Sequence, residues 1–269
     1  MTTNRSYLED LRILELHSAL DWLEPPREIL EIGAGVGWQS RELSRIGHSV
    51  VAIDVPGSQY YGERIWPIRD YDGRSLPFRS SSFEVIFSSN VLEHVADLDG
   101  LLVEMRRVVR PGGYLIHVVP SATWRLWTSI SYYPYLLGRV MRVFLSRKGG
   151  EASSPNNLAV GASCGSQRSA STWSWQEIGR RVTPPRHGER GSAFGELMTF
   201  RRDFWKDLLT HADLEFVECR PAGVFYSGSN LFGYRLPFRV RRALARILGS
   251  SCHVFVMKRR NTPQCNLSN

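Results

Sequence analysis

Lysine is scarce in this 269-residue chain: of 34 basic residues only Lys148, Lys206 and Lys258 are lysines. Arginine grips carboxylate and phosphate through a planar fork, so the bias points either to an anionic partner or to codon usage in a GC-rich genome. Cysteine is also scarce. Cys164, Cys219, Cys252 and Cys265 form no CxxC pair, which argues against a structural zinc site and a disulfide scaffold. No apolar run approaches the roughly 18 residues that span a bilayer. The stretch Met1 to Arg12 has no apolar h-region, so no signal peptide is expected. A cytoplasmic chain, at most peripheral to a membrane, is the expectation.

What remains is globular in composition, with 42% hydrophobic and 22% charged residues. The formal charge of +8 is unevenly spread. Residues 1–119 carry 12 basic and 17 acidic residues, whereas residues 120–200 carry 10 and 4, and residues 201–269 carry 12 and 5. An acidic first half joined to a basic second half suggests two tasks on one chain.

Strand and helix patterns alternate through the first half. Leu8, Leu11, Leu14, Leu16, Leu20 and Leu23 recur at near-helical spacing up to Pro25-Pro26. Strands are expected at Glu28–Ile32, Ser49–Ile53, Ile65–Ile68 (at an edge, because of Pro67), Phe83–Ser88 and Tyr114–Val119. Helices are expected at Trp38–Ile46 and at Leu98–Val109, the second stopped by Pro111-Gly112-Gly113. Such alternation implies right-handed crossovers and a parallel sheet. From Pro120 to about Gly195 the pattern reads as irregular, with a loop-like Ser/Gly/Asn-rich patch from Glu151 to Ser171. It resumes with a helix at Arg201–His211, a strand at Leu214–Cys219, a basic helix at Arg235–Leu248 and a strand at Cys252–Met257. A single domain is expected: an N-terminal helix (1–25), a ligand-binding core (26–120), an insert (121–200), the rest of the sheet (201–258) and a tail (259–269).

The most informative stretch is Glu31-Ile32-Gly33-Ala34-Gly35-Val36-Gly37-Trp38. Glycines directly after a first strand let the backbone turn tightly and approach a ligand at the next helix's N-terminus. A dinucleotide fingerprint would place its third glycine at position 38, where Trp38 stands; the spacing here is GxGxG, preceded by an acid. Glu31 suits a ligand bearing positive charge better than a pyrophosphate. Asp54, 21 residues after Gly33, can accept hydrogen bonds from both hydroxyls of a ribose. Asp72-Gly73 stands ready for a base edge in the same crevice. Together these describe a cationic nucleoside ligand.

On these residues the chain resembles the class I S-adenosylmethionine-dependent methyltransferases, in the branch often called type 11. The resemblance covers about Ile29–Pro120 through ILEIGAGVG, VVAID, DGRSLPF, FEVIFSSNVLEHV and MRRVVRPGG. It implies an α/β, Rossmann-like, doubly wound seven-stranded sheet with a final antiparallel strand and an insert after the fifth strand. It also implies that Glu31, Gly33, Gly35 and Gly37 hold the methionine portion, Asp54 the ribose, and Asp72 and Gly73 the adenine. Ser89 and Asn90 would lie beside the methyl donor.

Methyl transfer from a sulfonium needs mainly alignment, plus a base where the acceptor is a hydroxyl. His94, in Leu92-Glu93-His94-Val95, is the first candidate base; the alternative is a wall residue or helix cap. His187, in His187-Gly188-Glu189, is the second, as base, substrate binder or solvated turn. Glu93-His94 is also similar to the acid–histidine pair of metal-assisted methyltransferases, but Asn90 replaces their further acid, so no metal is expected. Aromatics at Trp124, Trp127, Tyr132, Tyr133, Tyr135 and Phe144 interleave with Arg125, Arg139, Arg142, Arg147 and Lys148. This stretch (124–148) suits a membrane surface, a glycan or nucleic acid, or else a buried core with a basic rim. Ser89-Asn90-Val91-Leu92 stands where N6-adenine methyltransferases carry [DN]PP[YF], which ranks nucleic acid below small molecules, glycans and lipid-linked acceptors. The expected activity is O-methylation. The competing classes are a non-catalytic S-adenosylmethionine-binding partner subunit and a nucleic-acid methyltransferase.

Overall fold

The computed structural model describes residues 2–148, 183–211, 213–227 and 236–261. Helix α1 (Thr2–His17) leads into strand β1 (Glu28–Ile32), α2 (Trp38–Arg45), β2 (Ser49–Asp54) and β3 (Ile68–Asp70). Then come β4 (Phe83–Ser89), α3 (Leu98–Val108), β5 (Val109–Pro120) and the long α4 (Ala122–Lys148). The short α5 (Glu196–Thr199), α6 (Arg202–His211), β6 (Leu214–Pro221), α7 (Phe238–Leu248) and β7 (Cys252–Arg259) complete the described order.

One seven-stranded sheet runs β3-β2-β1-β4-β5-β7-β6. The first five strands are parallel to one another, while β7 pairs antiparallel with both β5 and β6. Alternation along each strand divides the core between two faces. On β1, β4, β5 and β7, residues Leu30, Ile86, Leu115 and Phe255 join α3 and α6 through Leu101, Met105, Trp205 and Leu209. Their neighbours Ile29, Val85, Phe87, Ile116, Val118, Val254 and Val256 face α1, the turn after it and α2 through Leu16, Leu23 and Leu43 respectively. Burial of His117 on β5 pushes its imidazole down to about 3, so it is a neutral partner for Ser88, 2.8 Å away.

Several sequence expectations are corrected. The third strand starts after Pro67, because proline lacks the N–H a paired strand needs, and lies at the sheet's edge against Ala52–Asp54. Helix α3 ends at Val108, but Pro111-Gly112-Gly113 lies inside β5, which already begins at Val109; there it interrupts the pairing with β4, which passes from Phe83–Val109 to Val85–Tyr114. The largest correction is at 122–148, read as irregular but folded as a 27-residue helix. Pro134 reads as a breaker, yet it costs one intrahelical hydrogen bond and is accommodated here. Apolar residues also occur on more than one side of this helix, which blurs the 3.6-residue period. The Glu151–Ser171 patch lies outside the described residues.

Among the described residues, no helix is long and apolar enough to cross a membrane.

Candidate active site

The chain leaves β1 for β2 and β3 on one side and returns to β4 and β5 on the other. The order therefore reverses between β1 and β4, where open α/β sheets bind ligands at the strands' carboxyl ends. The sequence-predicted residues fall along this edge. Gly33 and Gly37 hold φ of +72° and +93°, a left-handed region natural to glycine. A Cβ would lie 2.4 Å from Val91 at Gly33 and 2.5 Å from Trp66 at Gly37, so neither position tolerates a side chain without movement.

Asp54 ends β2 buried and braces this turn. Its Oδ2 accepts the Gly35 N–H (2.9 Å) and its Oδ1 the Val55 N–H (2.7 Å), leaving further lone pairs on both oxygens. Glu31 is buried beneath the loop and accepts a bond from the Ser40 hydroxyl. Burial pushes its carboxyl up to about 8, against the opposing pull of the Ser40 bond. Asp72 is exposed. Its Oδ1 caps its own turn by accepting the N–H groups of Arg74 and Ser75, each 2.8 Å away, and these bonds hold its pKa below the usual range. Gly73 beside it has φ +78°.

Ser89 and Asn90, at the end of β4, engage a residue the sequence reading missed. Glu15 of α1 is fully buried and accepts from Asn90 Nδ2 at 3.1 Å and from Ser89 Oγ at 3.3 Å. Arg12 pairs with it at 2.6 Å, and the Cys252 thiol donates to Asn90 Oδ1 at 3.4 Å. Tyr226 lies 2.8 Å from that sulfur. Burial raises both the Cys252 thiol and the Tyr226 phenol well above their ordinary values, so both are neutral. The readable signal was an acid at position 15 on the leucine face of α1, since a carboxylate on an apolar face needs buried partners.

The two candidate bases meet. His94 Nε2 lies 3.7 Å and His187 Nε2 3.8 Å from the same oxygen of Glu93, and the ring centroids are 4.8 Å apart. Glu93 is buried, and neither carboxylate oxygen has a hydrogen-bond donor. Burial lowers the His94 pKa, with neighbouring His187 adding to the effect and Glu93 opposing it. These three are also the group among the described residues whose ligand atoms, all within 4.8 Å of one another, could hold a metal ion.

His187 arrives from far along the chain through a buried clamp. Glu196 Oε1 accepts the N–H groups of His187 (2.6 Å) and Gly188 (2.8 Å), and Glu189 donates its N–H to the Glu93 carbonyl at 2.8 Å. Glu196 lies 2.9 Å from Arg125 Nε, whose own hydrogen bond goes to the Ala193 carbonyl, while Nη2 donates to that of Pro185. Trp124 packs its ring 4.6 Å from the His187 ring. None of Arg125, Glu196 or Trp124 carries a local sequence signal for this role.

Residues 30–117 match a family model described as a methyltransferase domain. Over that stretch the chain carries a methyltransferase domain. That domain is 28% identical over 120 residues to the demethylmenaquinone methyltransferase of Tropheryma whipplei (strain Twist), covering 41% of this chain and 49% of that protein. It is 35% identical over 96 residues to the demethylmenaquinone methyltransferase of Renibacterium salmoninarum, covering 34% and 40%. The chain thus spans less than half the length of these curated relatives. The methyltransferase fold extends further. An S-adenosylmethionine-dependent methyltransferase from Mesorhizobium loti aligns with TM-score 0.50 at 15% identity, over 91% of this chain and 98% of that one. A chain from the complex of the Haloferax volcanii Trm112 methyltransferase activator with a methyltransferase aligns with TM-score 0.53 at 14% identity, over 94% and 92%.

Proposed function

We propose that this protein is an S-adenosylmethionine-dependent O-methyltransferase acting on a small-molecule, glycan or lipid-linked hydroxyl. The observation that carries this is the convergence of both imidazole Nε2 atoms on the donor-free carboxylate of Glu93, one turn beyond the Ser89-Asn90 strand end.

The residues present fit the cofactor. Glu31 and Asp54 are buried acids flanking a glycine turn, an acceptor set suited to a cationic nucleoside. Glu31, Gly33, Gly35 and Gly37 would hold its methionine portion, Asp54 its ribose, Asp72 and Gly73 its adenine, with Ser89 and Asn90 near its methyl end. When bound, S-adenosylmethionine supplies an electrophilic methyl group on a positively charged sulfur.

The side chains gathered at Glu93 take the acceptor's proton. Burial keeps His94 neutral at pH 7, so its Nε2 can accept a proton from a hydroxyl. Glu93 then faces an imidazolium and stabilises it, which gives its uncompensated burial a chemical use. His187 is the second acceptor at the same carboxylate, its backbone fixed by Glu196 and its ring walled by Trp124. Trp124 and the 185–193 loop line this end of the crevice.

The test is transfer of labelled methyl from S-adenosylmethionine into fractionated cell extract, with cofactor binding followed separately by calorimetry. A labelled O-methyl product whose formation falls about 10²-fold in both His94→Ala and His187→Ala, at unchanged cofactor affinity, is the expected result. Cofactor binding without transfer into any fraction would instead identify a non-catalytic binder. Label in nucleic acid would overturn the acceptor class.

A further inference from the structure

Helix α4 does two things at once. At its start, Trp124 and Arg125 build the wall of the candidate base site. Farther along, Arg125, Ser129 and Tyr132 pack inward, while a separate set of large apolar side chains faces outward. Leu126, Ile130, Tyr133, Leu137 and Met141 are 43%, 49%, 45%, 63% and 51% exposed. Their spacing of four, three, four and four residues confines them to a sector of about 80° on a 3.6-residue helix, in a stripe about 22 Å long. Exposed leucines occur singly on ordinary surfaces; five large apolar side chains in one helical stripe form a binding face.

The charge on this helix says what that face meets. From Ala122 to Lys148 there is no aspartate or glutamate. Arg125 is committed to Glu196 and Arg139 donates to the Tyr135 hydroxyl at 3.1 Å, while the sequence of the helix ends on three further bases, Arg142, Arg147 and Lys148. An apolar stripe continued by an acid-free basic segment is the composition of a helix that lies in a bilayer interface and attracts anionic headgroups. A surface for a second copy of this chain would need apolar contact but no such one-sided charge.

We propose that the outward face of α4 seats this protein on an anionic lipid surface. The crevice then opens beside the bilayer, because the same helix contributes Trp124 to its wall. Given the methyl-transfer reading above, on which this second step rests, the substrate class selected is a lipid-linked hydroxyl presented at the membrane surface.

Flotation of the purified full chain with vesicles tests the docking without any methyl donor. Vesicles of phosphatidylcholine with phosphatidylglycerol should carry the protein upward at low salt, and phosphatidylcholine alone should carry at least tenfold less. The double variant Leu137→Glu/Met141→Glu should lose at least tenfold in vesicle binding. Leu137→Gln/Met141→Gln should also weaken it, separating the apolar term from the added charge. Unchanged cofactor affinity by calorimetry shows that the variants are folded. Failure of the parent chain to float, or equal flotation of the variants, overturns the proposal. A stable dimer by light scattering that the same variants disperse also overturns it, with a second copy as occupant. If the chain floats but labelled methyl enters only water-soluble products, the docking stands and the lipid-linked substrate is rejected.

Discussion

The two walls of the crevice are built by different means. The β1/β2 wall is local: Glu31, Gly33, Gly35 and Asp54 lie within 24 residues, and Asp54 is satisfied by backbone N–H groups of the turn it faces. The β4/β5 wall is assembled at long range, with Glu15 from the first helix, Glu93 after β4, His187 from a distant loop and Cys252 from the last strand. The first wall has its buried acids compensated by hydrogen bonds. The second holds Glu93 with none, so it carries the greater electrostatic tension. A binding wall and a reacting wall are expected to differ in this way, since reacting groups need unsatisfied capacity.

The largest expected effect breaks the long-range wall. Glu196→Ala leaves Arg125 buried and unpaired and frees the His187 backbone, and should cost about 3–5 kcal/mol in denaturant unfolding. Replacing the pair together, as Arg125→Met/Glu196→Leu, should restore much of that stability. It should not restore methyl transfer, because His187 loses its anchor.

Next in size is Asp54→Ala on the local wall. Loss of the acceptor for Gly35 and Val55 should weaken cofactor binding by about 10- to 100-fold, corresponding to one or two buried hydrogen bonds. Calorimetric affinity equal to the parent would remove Asp54 from the cofactor site.

Glu31 sharpens the comparison by pH. Its folded carboxyl holds its proton to about 8, against 4.5 when free. Between these values the folded chain binds a proton that the unfolded chain has lost, so this group makes stability fall as pH rises across that window. Glu31→Gln should flatten that slope in urea titrations at pH 5 and pH 8. A cationic ligand favours the ionised form, so cofactor binding at pH 7 should release part of a proton in the parent and none through this group in the variant. Calorimetry in buffers of different ionisation enthalpy measures the difference.

The smallest effect is expected at Asp72. Its Oδ1 is already engaged by Arg74 and Ser75, and the residue is exposed. Asp72→Asn keeps an acceptor there and should change cofactor affinity by less than about fivefold, within the range of one exposed polar contact.

The same contrast explains what the sequence made legible. The elements β1, α2, β2 and β4 lie within a residue of where periodicity puts them, because alternating apolar residues and flanking glycines are local signals. The glycine turn and Asp54 were readable for the same reason. Glu15 is buried by contacts 74 to 237 residues away, and no local pattern announces its partners. His94 and His187 could each be singled out as candidates, but the Arg125–Glu196 clamp and the Glu189–Glu93 backbone bond, both long-range, bring them to one carboxylate. Helix α4 escaped because its apolar residues serve both the core and the outer surface, so neither period dominates.

The placement of β7 has a consequence for how the chain is made. The strand from Cys252 to Arg259 lies between β5 and β6, although it follows both in the sequence and is the last of the described strands. Until it emerges, the edge of β5 from Tyr114 to Pro120 has no partner for its backbone groups, and the nascent sheet offers an open apolar margin of the kind that aggregates. A chain stopped short of Cys252 would contain every cofactor motif and still lack the strand that joins the sheet's two parts. Completion of the sheet, and closure of the Glu15 pocket by Cys252, therefore awaits synthesis of the Cys252–Arg259 segment.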